Sequence, residues 1–269
     1  MKENNLSFDT ALKQAQELGF AEADPTFDIE GVDAAHKITI LASIAFGIPI
    51  NFDAVHVEGI SNLNQKDITY AEELGYKIKL LGIAKSNNTD VEIRVHPTLV
   101  PEKRLVANVD GPMNAVLVHG NMVGPTLYYG AGAGAEPTAS AVVADVIDIA
   151  RQTKLSNKTL IPPLGFMPDM IYEKNILSIE NIFSEYYLRF TMKNQAGLLA
   201  KITNIFADHE ISINSMVHKE VQENNQNPDI FLITSKTKEA DIDTIISEIE
   251  LLPENIEKVV KIRTEELNK

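Results

Sequence analysis

The sequence predicts an α+β protein with two units: a mixed sheet covered by helices, then a ferredoxin-like βαββαβ unit. Two observations lead to this prediction. Helical patterns fill roughly the first 75 residues and strand patterns follow them, whereas after about residue 185 strands and helices alternate in the order βαββαβ. A chain of 269 residues is long enough for two domains. We expect them to span residues 1–151 and 185–269, with a proline-containing linker at 152–184.

Three helices are predicted in the first 75 residues, over residues 8–18, 33–46 and 65–74, and a glycine follows each of them. Glycine directly after a helix is a frequent stop signal, because it adopts the left-handed conformation without strain. The helix 33–46 is apolar on nearly every face, so we expect it to be buried. The other two are apolar on one side.

Four strands are predicted to follow these helices. Residues 76–85 and 91–100 are largely apolar runs that flank a polar turn, a pattern typical of a β-hairpin. Two further apolar runs, 114–120 and 123–130, flank a second turn at Asn121. We expect all four strands to form one sheet, with the helices available to cover one of its faces.

Composition excludes several classes of function. Cysteine is absent, so the chain has no disulfide framework, zinc ribbon or thiol nucleophile. A net charge of −14 argues against nucleic acid and anionic membranes as partners. No apolar run approaches the roughly 20 residues that span a membrane, and the first residues lack a signal-peptide core, so we expect a cytoplasmic protein. The histidines show no metal-ligand spacing, and no metal site is predicted.

The most informative stretch is Gly19–Lys37, which reads GFAEADPTFDIEGVDAAHK. Its carboxylates need water, cations or a charged ligand around them; they are Glu22, Asp24, Asp28, Glu30 and Asp33. Lys37 follows Asp33 by one helical turn on the helix that we expect to be buried, and a buried lysine is costly enough to indicate function. The alternatives are an ordinary helix ion pair and solvated loop carboxylates.

A glycine-rich turn follows the last predicted strand of the first unit. Gly130, Gly132 and Ala135 fit the dinucleotide fingerprint G-x-G-x-x-G/A. That fingerprint opens a βαβ unit, but the helix here runs into a proline-rich stretch without a clear strand, which argues against a Rossmann fold. Two interpretations remain: a tight turn with close helix packing, or a turn that touches a cofactor from outside a Rossmann domain.

The stretch around Lys37, together with VHPTLVP, DGPMNAV and GAGAEPTASAVVADVIDIAR, strongly resembles the catalytic region of homoserine dehydrogenase. This family reduces aspartate 4-semialdehyde reversibly to homoserine with NADP or NAD, a step on the way to threonine, methionine and isoleucine. The resemblance implies that Lys37 transfers a proton and that Glu22, Asp28 and Asp33 hold the substrate. It also implies that Gly19, Gly132 and Gly134 approach the cofactor.

The sequence departs from this family in one respect. The family has an N-terminal Rossmann domain that holds most of the cofactor site and a second active-site lysine, and neither is found in these 269 residues. We therefore expect the chain to correspond to the C-terminal part of the enzyme and to be inactive by itself. The alternative is a non-catalytic module that binds an amino acid or promotes oligomerisation.

The last 85 or so residues resemble an ACT domain, a small module that senses amino acids. The resemblance implies an allosteric effector, threonine being the expected one, near Asn194, Gly197 and Asn214. Asn194 and Ala196 depart from the commoner acidic residue and proline of this turn, so a purely structural role in dimerisation remains open. Unpaired sheet edges lead us to expect a homo-oligomer, a dimer or a tetramer.

Overall fold

A computed structural model describes residues 8–17, 23–87, 89–154, 162, 164–219 and 227–267. Its helices are α1 Phe8–Glu17, α2 Thr26–Ile29, α3 Val32–Phe46, α4 Gln65–Glu73, α5 Ala135–Lys154, α6 Leu198–Asp208 and α7 Glu239–Glu250. Its strands are β1 His56–Val57, β2 Tyr76–Ser86, β3 Asp90–Pro101, β4 Met113–Gly120, β5 Gly124–Ala131, β6 Asn175–Ile176, β7 Phe183–Thr191, β8 Ile213–Lys219, β9 Asp229–Thr234, β10 Thr237–Lys238 and β11 Val260–Thr264.

The three helices predicted in the first unit are confirmed, with ends within one residue of the predictions. Glycine marks the ends of α3: Gly31 before it and Gly47 after it have φ of 78° and 63°. The amide of Gly47 donates to the carbonyl of Ser43 and so closes the last turn. The short helix α2 lies in the carboxylate-rich segment that precedes α3, residues 23–31, which is called the acidic loop below. It was not predicted.

Strand β3 is the central strand of the first unit's sheet, with partners on both of its edges. Strand β2 pairs with it along its whole length, which confirms the predicted hairpin. On the other edge of β3, three short strands pair in parallel: β6 at residues 90–91, β1 at 94–95 and β11 at 98–99. The expectation of one four-stranded sheet is wrong, because β4 and β5 form a separate two-stranded sheet. Alternation predicts each hairpin but not which hairpins pair, and here both edges of β3 are already occupied.

The C-terminal unit has the predicted βαββαβ order, with strands β7, β8, β9 and β11 arranged as β11-β7-β9-β8. Helices α6 and α7 cover one face of this sheet. Their inward side chains interlock with those of the strands in a closed core, whose members include Tyr186, Leu188, Phe190, Ile202, Phe206, Ile242 and Ile245. Burial of this many large apolar side chains is the main stabilising contribution.

The two units share one continuous sheet, a feature that was not predicted. Strand β11 pairs with β7 on one side and with β3 on the other, where Arg263 lies opposite Thr98. Helix α4 of the first unit packs on the sheet face that α6 and α7 leave uncovered, and its Tyr70 ring stacks on Phe231 at 4.4 Å. The C-terminal sheet is therefore sandwiched between its own helices and a helix of the first unit.

The segment after α5 lies against the first unit. Phe166 packs on Gly47, the amide of Tyr172 donates to the carbonyl of Gly47, and β6 extends the sheet beside β3. Among the described ranges, no helix is both long enough and apolar enough to cross a membrane.

Candidate functional site

The acidic loop is held by short-range contacts that its sequence dictates. Asp24 accepts hydrogen bonds from the amide and hydroxyl of Thr26, the first residue of α2, at 3.1 and 2.6 Å. Gly31 then adopts a positive φ against the strands, where an added Cβ would lie 3.1 Å from Val95 and 3.4 Å from the carbonyl of Glu58. A side chain at Gly31 would be strained at this φ and would crowd Val95, so the position favours glycine.

Lys37 and Asp33 are brought together on α3. The ammonium of Lys37 donates to Asp33 over 2.5 Å. Their side chains are 62% and 38% exposed, so the expected burial of Lys37 is wrong. The reason is that α3 buries a narrow stripe of small and polar residues on the opposite side, namely Ala35, Thr39, Ala42 and Ser43.

The face of α3 that carries Lys37 continues as an apolar stripe. Ile40, Leu41 and Ile44 follow at helical spacing and are 45%, 39% and 45% exposed. The expectation that α3 is buried all round is therefore wrong as well. The ion pair stands at one end of an open apolar surface.

The other predicted substrate residues are less constrained. Asp28 is exposed on α2, which packs beside α3. Glu22 and Gly19 lie outside the described residues. Glu30 accepts a hydrogen bond from the hydroxyl of Ser61 and is part of the loop's own packing.

Gly132 and Gly134 occupy the turn between β5 and α5. A Cβ on Gly132 would lie 1.6 Å from the side-chain nitrogen of Asn114, and Gly134 has a φ of 122°. The backbone conformation at Gly134 favours glycine, whereas a side chain at Gly132 would have to displace the side chain of Asn114. Strand β5 pairs in antiparallel fashion with β4, so this strand–turn–helix does not open a parallel βαβ unit, in agreement with the argument against a Rossmann fold.

A shallow cleft of about 160 Å³ lies at the start of α6. Asn194 and Gly197 line it, and His218 on β8, which the sequence did not single out, faces them. Gly197 has a φ of 84°, and the amide of Leu198, the first residue of α6, donates to the carbonyl of Gln195 over 3.2 Å. Asn214 does not line the cleft: its side-chain amide donates to the carbonyl of Thr234 and to Glu185.

Charged groups buried between the two units were also missed. Arg189 on β7 donates to Asp67 on α4 over 2.6 and 3.3 Å, and the hydroxyl of Tyr187 donates to the same carboxylate. Arg189 and Asp67 are 2% and 0% exposed. The signal in the sequence is an arginine at an inward position of an otherwise apolar strand, YYLRFT, because a buried arginine needs a carboxylate partner.

Arg263 makes a second bridge of this kind. It is 2% exposed and binds Glu58 of the first unit and Glu239 at the start of α7. Partial burial acts to raise the pKa of Glu58, but hydrogen bonds from His56 and Arg263 outweigh it and hold that pKa well below its ordinary value. Hydrogen bonds from Arg263 and Lys261 likewise outweigh burial and lower the pKa of Glu239. Both carboxylates are thus ionised at neutral pH.

His96 on β3 lies fully buried beside these charges. Burial, aided by the charges of Arg263 and Arg94, lowers its pKa well below the ordinary value. Nε2 accepts from the Nε–H of Arg94 at 3.1 Å, so the proton sits on Nδ1, which donates to the carbonyl of Pro97. His96 is therefore a neutral structural residue.

Family models match two parts of the chain, residues 1–147 to homoserine dehydrogenase and residues 186–254 to the ACT domain. The first match covers more than half of the chain. The chain belongs to the homoserine dehydrogenase family. The family member of Pseudomonas aeruginosa is 50% identical over 268 residues, and that of Neisseria gonorrhoeae is also 50% identical over 268 residues.

Solved structures of homoserine dehydrogenases have the same fold. That from Thiobacillus denitrificans is 54% identical, covers 100% of the chain and superposes with a TM-score of 0.92. That from S. aureus at pH 6.0 is 32% identical, covers 98% and has a TM-score of 0.72. The chain spans 62% and 61% of the length of the P. aeruginosa and N. gonorrhoeae proteins and 61% of each solved chain. The match thus extends over the homoserine dehydrogenase region and the ACT domain together.

Proposed function

We propose that the protein that carries this chain interconverts L-homoserine and L-aspartate 4-semialdehyde with NADP or NAD. The observation that carries the proposal is the Asp33–Lys37 pair, 2.5 Å apart on the open side of α3 and beside the acidic loop. Family membership supports the same reaction. Hydride reduction of an aldehyde leaves an alkoxide oxygen that needs a proton, and an ammonium group supplies both the proton and a stabilising charge.

In this proposal Lys37 donates a proton to the substrate oxygen on reduction and accepts it on oxidation. Asp33 holds the ammonium of Lys37 in place and, with Glu22 and Asp28, contributes negative charge toward the ammonium of the substrate. An exposed pair of this kind becomes far more effective once substrate and cofactor exclude water from it, because charge interactions strengthen as the local dielectric falls.

The cofactor supplies or accepts the hydride when bound. The residues of the β5–α5 turn fit such a group: Gly130 has no heavy atom within 4 Å of an added Cβ, and the nearest to Gly134 is Pro137 at 3.5 Å. The amide of Gly132 already donates to the carbonyl of Pro112 over 3.4 Å, so the attraction for a polar ligand here comes from the start of the 20-residue helix α5 beside this turn. We assign Gly132 and Gly134, with Gly19, to contact with the cofactor. The rest of the cofactor site is proposed to come from residues beyond these 269.

The test is Lys37→Ala in the whole protein that carries this chain. We expect kcat to fall about 100-fold or more, the scale of a lost general acid. The melting temperature should stay nearly unchanged, because an exposed ion pair contributes little to stability. Lys219→Ala is the matched control: Lys219 is also an ion-paired lysine, with Glu73 as its partner, but it lies on β8.

Asp33→Ala and Glu22→Ala should act mainly on KM, since these residues are assigned to the substrate ammonium. If Lys37→Ala and Lys219→Ala both left kcat unchanged, Lys37 would be a surface residue. If the unmodified whole protein did not oxidise homoserine with either cofactor, the chain would be a non-catalytic module.

The cleft at the start of α6 supports a second part of the proposal, that the ACT domain binds an amino acid, threonine first among candidates. The positive end of the α6 dipole lies beside the cleft and suits a carboxylate, and the side chains of Asn194 and His218 add polar partners. Assembly into a homo-oligomer, a dimer or a tetramer, is proposed with it. Calorimetry with threonine, isoleucine, methionine and lysine tests binding, and light scattering tests assembly.

A further inference from the structure

Residues 58–60, which directly follow strand β1, lie between the ACT domain and the acidic loop. The amide of Glu58 donates to the carbonyl of Val95 on β3, and two residues later the amide of Ile60 donates to the carbonyl of Ile29 in the acidic loop, each over 2.8 Å. Residues 58–60 therefore connect β3, the central strand of the sheet, to the end of α2.

Packing at this exit is tight. An added Cβ on Gly59 would lie 2.5 Å from the carboxylate of Glu30 and 2.6 Å from the carbonyl of Ile29. Gly31, on the loop side, is in turn close to the carbonyl of Glu58. Because the backbone of residues 58–60 lies this close to the backbone and side chain of the turn, we expect a shift of Glu58 to move the turn between α2 and α3.

The side chain of Glu58 is held from the ACT side. Both terminal nitrogens of Arg263 donate to its carboxylate over 2.8 Å, in a bidentate arrangement. Arg263 is itself fixed by Glu239, to which it donates over 2.8 and 2.5 Å. Glu239 also accepts from Tyr186 on β7 and from Lys261 on β11.

This chain of contacts runs from the core of the ACT domain to the turn that precedes Asp33 and Lys37. A guanidinium with four directed hydrogen bonds, 2% exposed, has little freedom to move. We propose that Arg263 is a positioning residue: through Glu58 it sets the place of the α2–α3 turn, so that the last ACT strand helps to build the substrate site of the first unit. The kinetic part of this inference rests on the proposed function.

The chain provides a matched control in Arg189. It too is buried, lies on an ACT strand and bridges to the first unit, through Asp67 on α4. Among the hydrogen bonds of the described residues, neither Arg189 nor Asp67 contacts residues 26–34. Loss of this bridge should loosen the contact between the two units without moving the turn.

The test compares hydrogen–deuterium exchange in the whole protein as the unmodified form, Arg263→Lys, Glu58→Gln and Arg189→Lys. Glu58→Gln leaves Arg263 paired with Glu239, so that variant keeps the buried charge compensated and folds. Arg263→Lys and Glu58→Gln should each speed exchange of the Ile60 amide and of peptides covering 26–34 by about tenfold, the result of a more frequent local opening. Arg189→Lys should speed exchange in α4 only.

Steady-state kinetics with homoserine provide the second readout. Arg263→Lys and Glu58→Gln should raise KM about tenfold and change kcat much less, because the turn positions the substrate while Lys37 stays in place. Arg189→Lys should leave KM within about twofold. A purely structural role for Arg263 would move stability in all three variants alike and would not separate them by KM.

The outcomes are distinguishable. If all three variants speed exchange equally across the first unit, or if residues 26–34 are unaffected by Arg263→Lys and Glu58→Gln, the positioning role is wrong, whatever the enzyme does. If exchange separates the variants as expected but the unmodified protein has no activity with homoserine, the coupling stands and the proposed function falls.

Discussion

The ACT domain and the helices α3 and α5 of the first unit are both rich in apolar residues, but they use them differently. In the ACT domain, Phe190, Ile202 and Ile245 are completely buried. On α5, Val142, Val146 and Ile149 are 56%, 59% and 62% exposed. Similar apolar content therefore corresponds to a closed core in one region and to an open surface in the other, and only the packing around each helix separates the two cases.

Charges follow the same division. Asp67 and Arg189 form a completely enclosed pair where the ACT domain meets α4, whereas Asp33 and Lys37 form an open pair on α3. An enclosed pair is costly to break, because it leaves one charge without water or a partner, while an open pair is readily replaced by hydration. The comparison thus separates regions that maintain the fold from regions that are free to serve a ligand.

The strongest way to break this comparison is to remove one carboxylate from each pair. Asp67→Ala should lower the free energy of unfolding by about 3 to 5 kcal/mol, since Arg189 stays buried without its main partner. Asp33→Ala should lower it by less than about 1 kcal/mol. Urea denaturation followed by circular dichroism measures both values. Equal losses would mean that the Asp33–Lys37 pair is enclosed in solution.

A slightly smaller effect is expected from truncating one isoleucine in each region. Ile202→Ala, in the ACT core, should cost about 2 to 5 kcal/mol, the sum of lost burial and an unfilled cavity. Ile147→Ala on α5, where the side chain is 44% exposed, should stay within about 0.5 kcal/mol. Urea denaturation of both variants measures the two losses in free energy of unfolding. A large loss for Ile147→Ala would show that another surface covers α5 in solution.

The smallest and most gradual effect is on pH dependence. The pKa values of Glu58, Glu239 and Asp229 are lowered by their cationic and hydrogen-bonded partners, although burial opposes this. A carboxyl group with a lowered folded-state pKa contributes stability above its unfolded pKa and loses it as the pH falls toward the folded value. The free energy of unfolding should therefore be level near neutrality and decline below about pH 4.5, the ordinary value for glutamate.

Salt separates the two regions in the same experiment. Glu239 and Asp229 are each 1% exposed, so their pairs are screened weakly and their part of the acid-induced decline should persist at high ionic strength, whereas a decline caused by exposed pairs should be strongly reduced. In Glu58→Gln the decline should be shallower, because one of the shifted groups no longer titrates. A decline that high salt removes would place the responsible carboxylates on the surface.

Local sequence signals predicted most of the secondary structure correctly. Glycine marks the ends of α3, and alternating apolar residues identified the β2–β3 hairpin and the βαββαβ order of the C-terminal unit. These features depend on contacts close in sequence and on backbone conformations that only certain residues adopt, so neighbouring residues are enough to specify them. The assignment of Asp33 and Lys37 to one side of a helix depends on the same short-range geometry.

Exposure and long-range pairing were decided only by the tertiary structure. The sequence of α3 predicted burial on every face, but a helix is buried only where another element covers it, and the sheet covers just the stripe around Ala35 and Thr39. Likewise, periodicity does not indicate that β11 would join β3, because pairing strands far apart in sequence depends on the assembled sheet edges and not on local pattern. That junction brings Arg263 to Glu58, and so connects the ACT domain to the loop whose carboxylates the sequence had already identified.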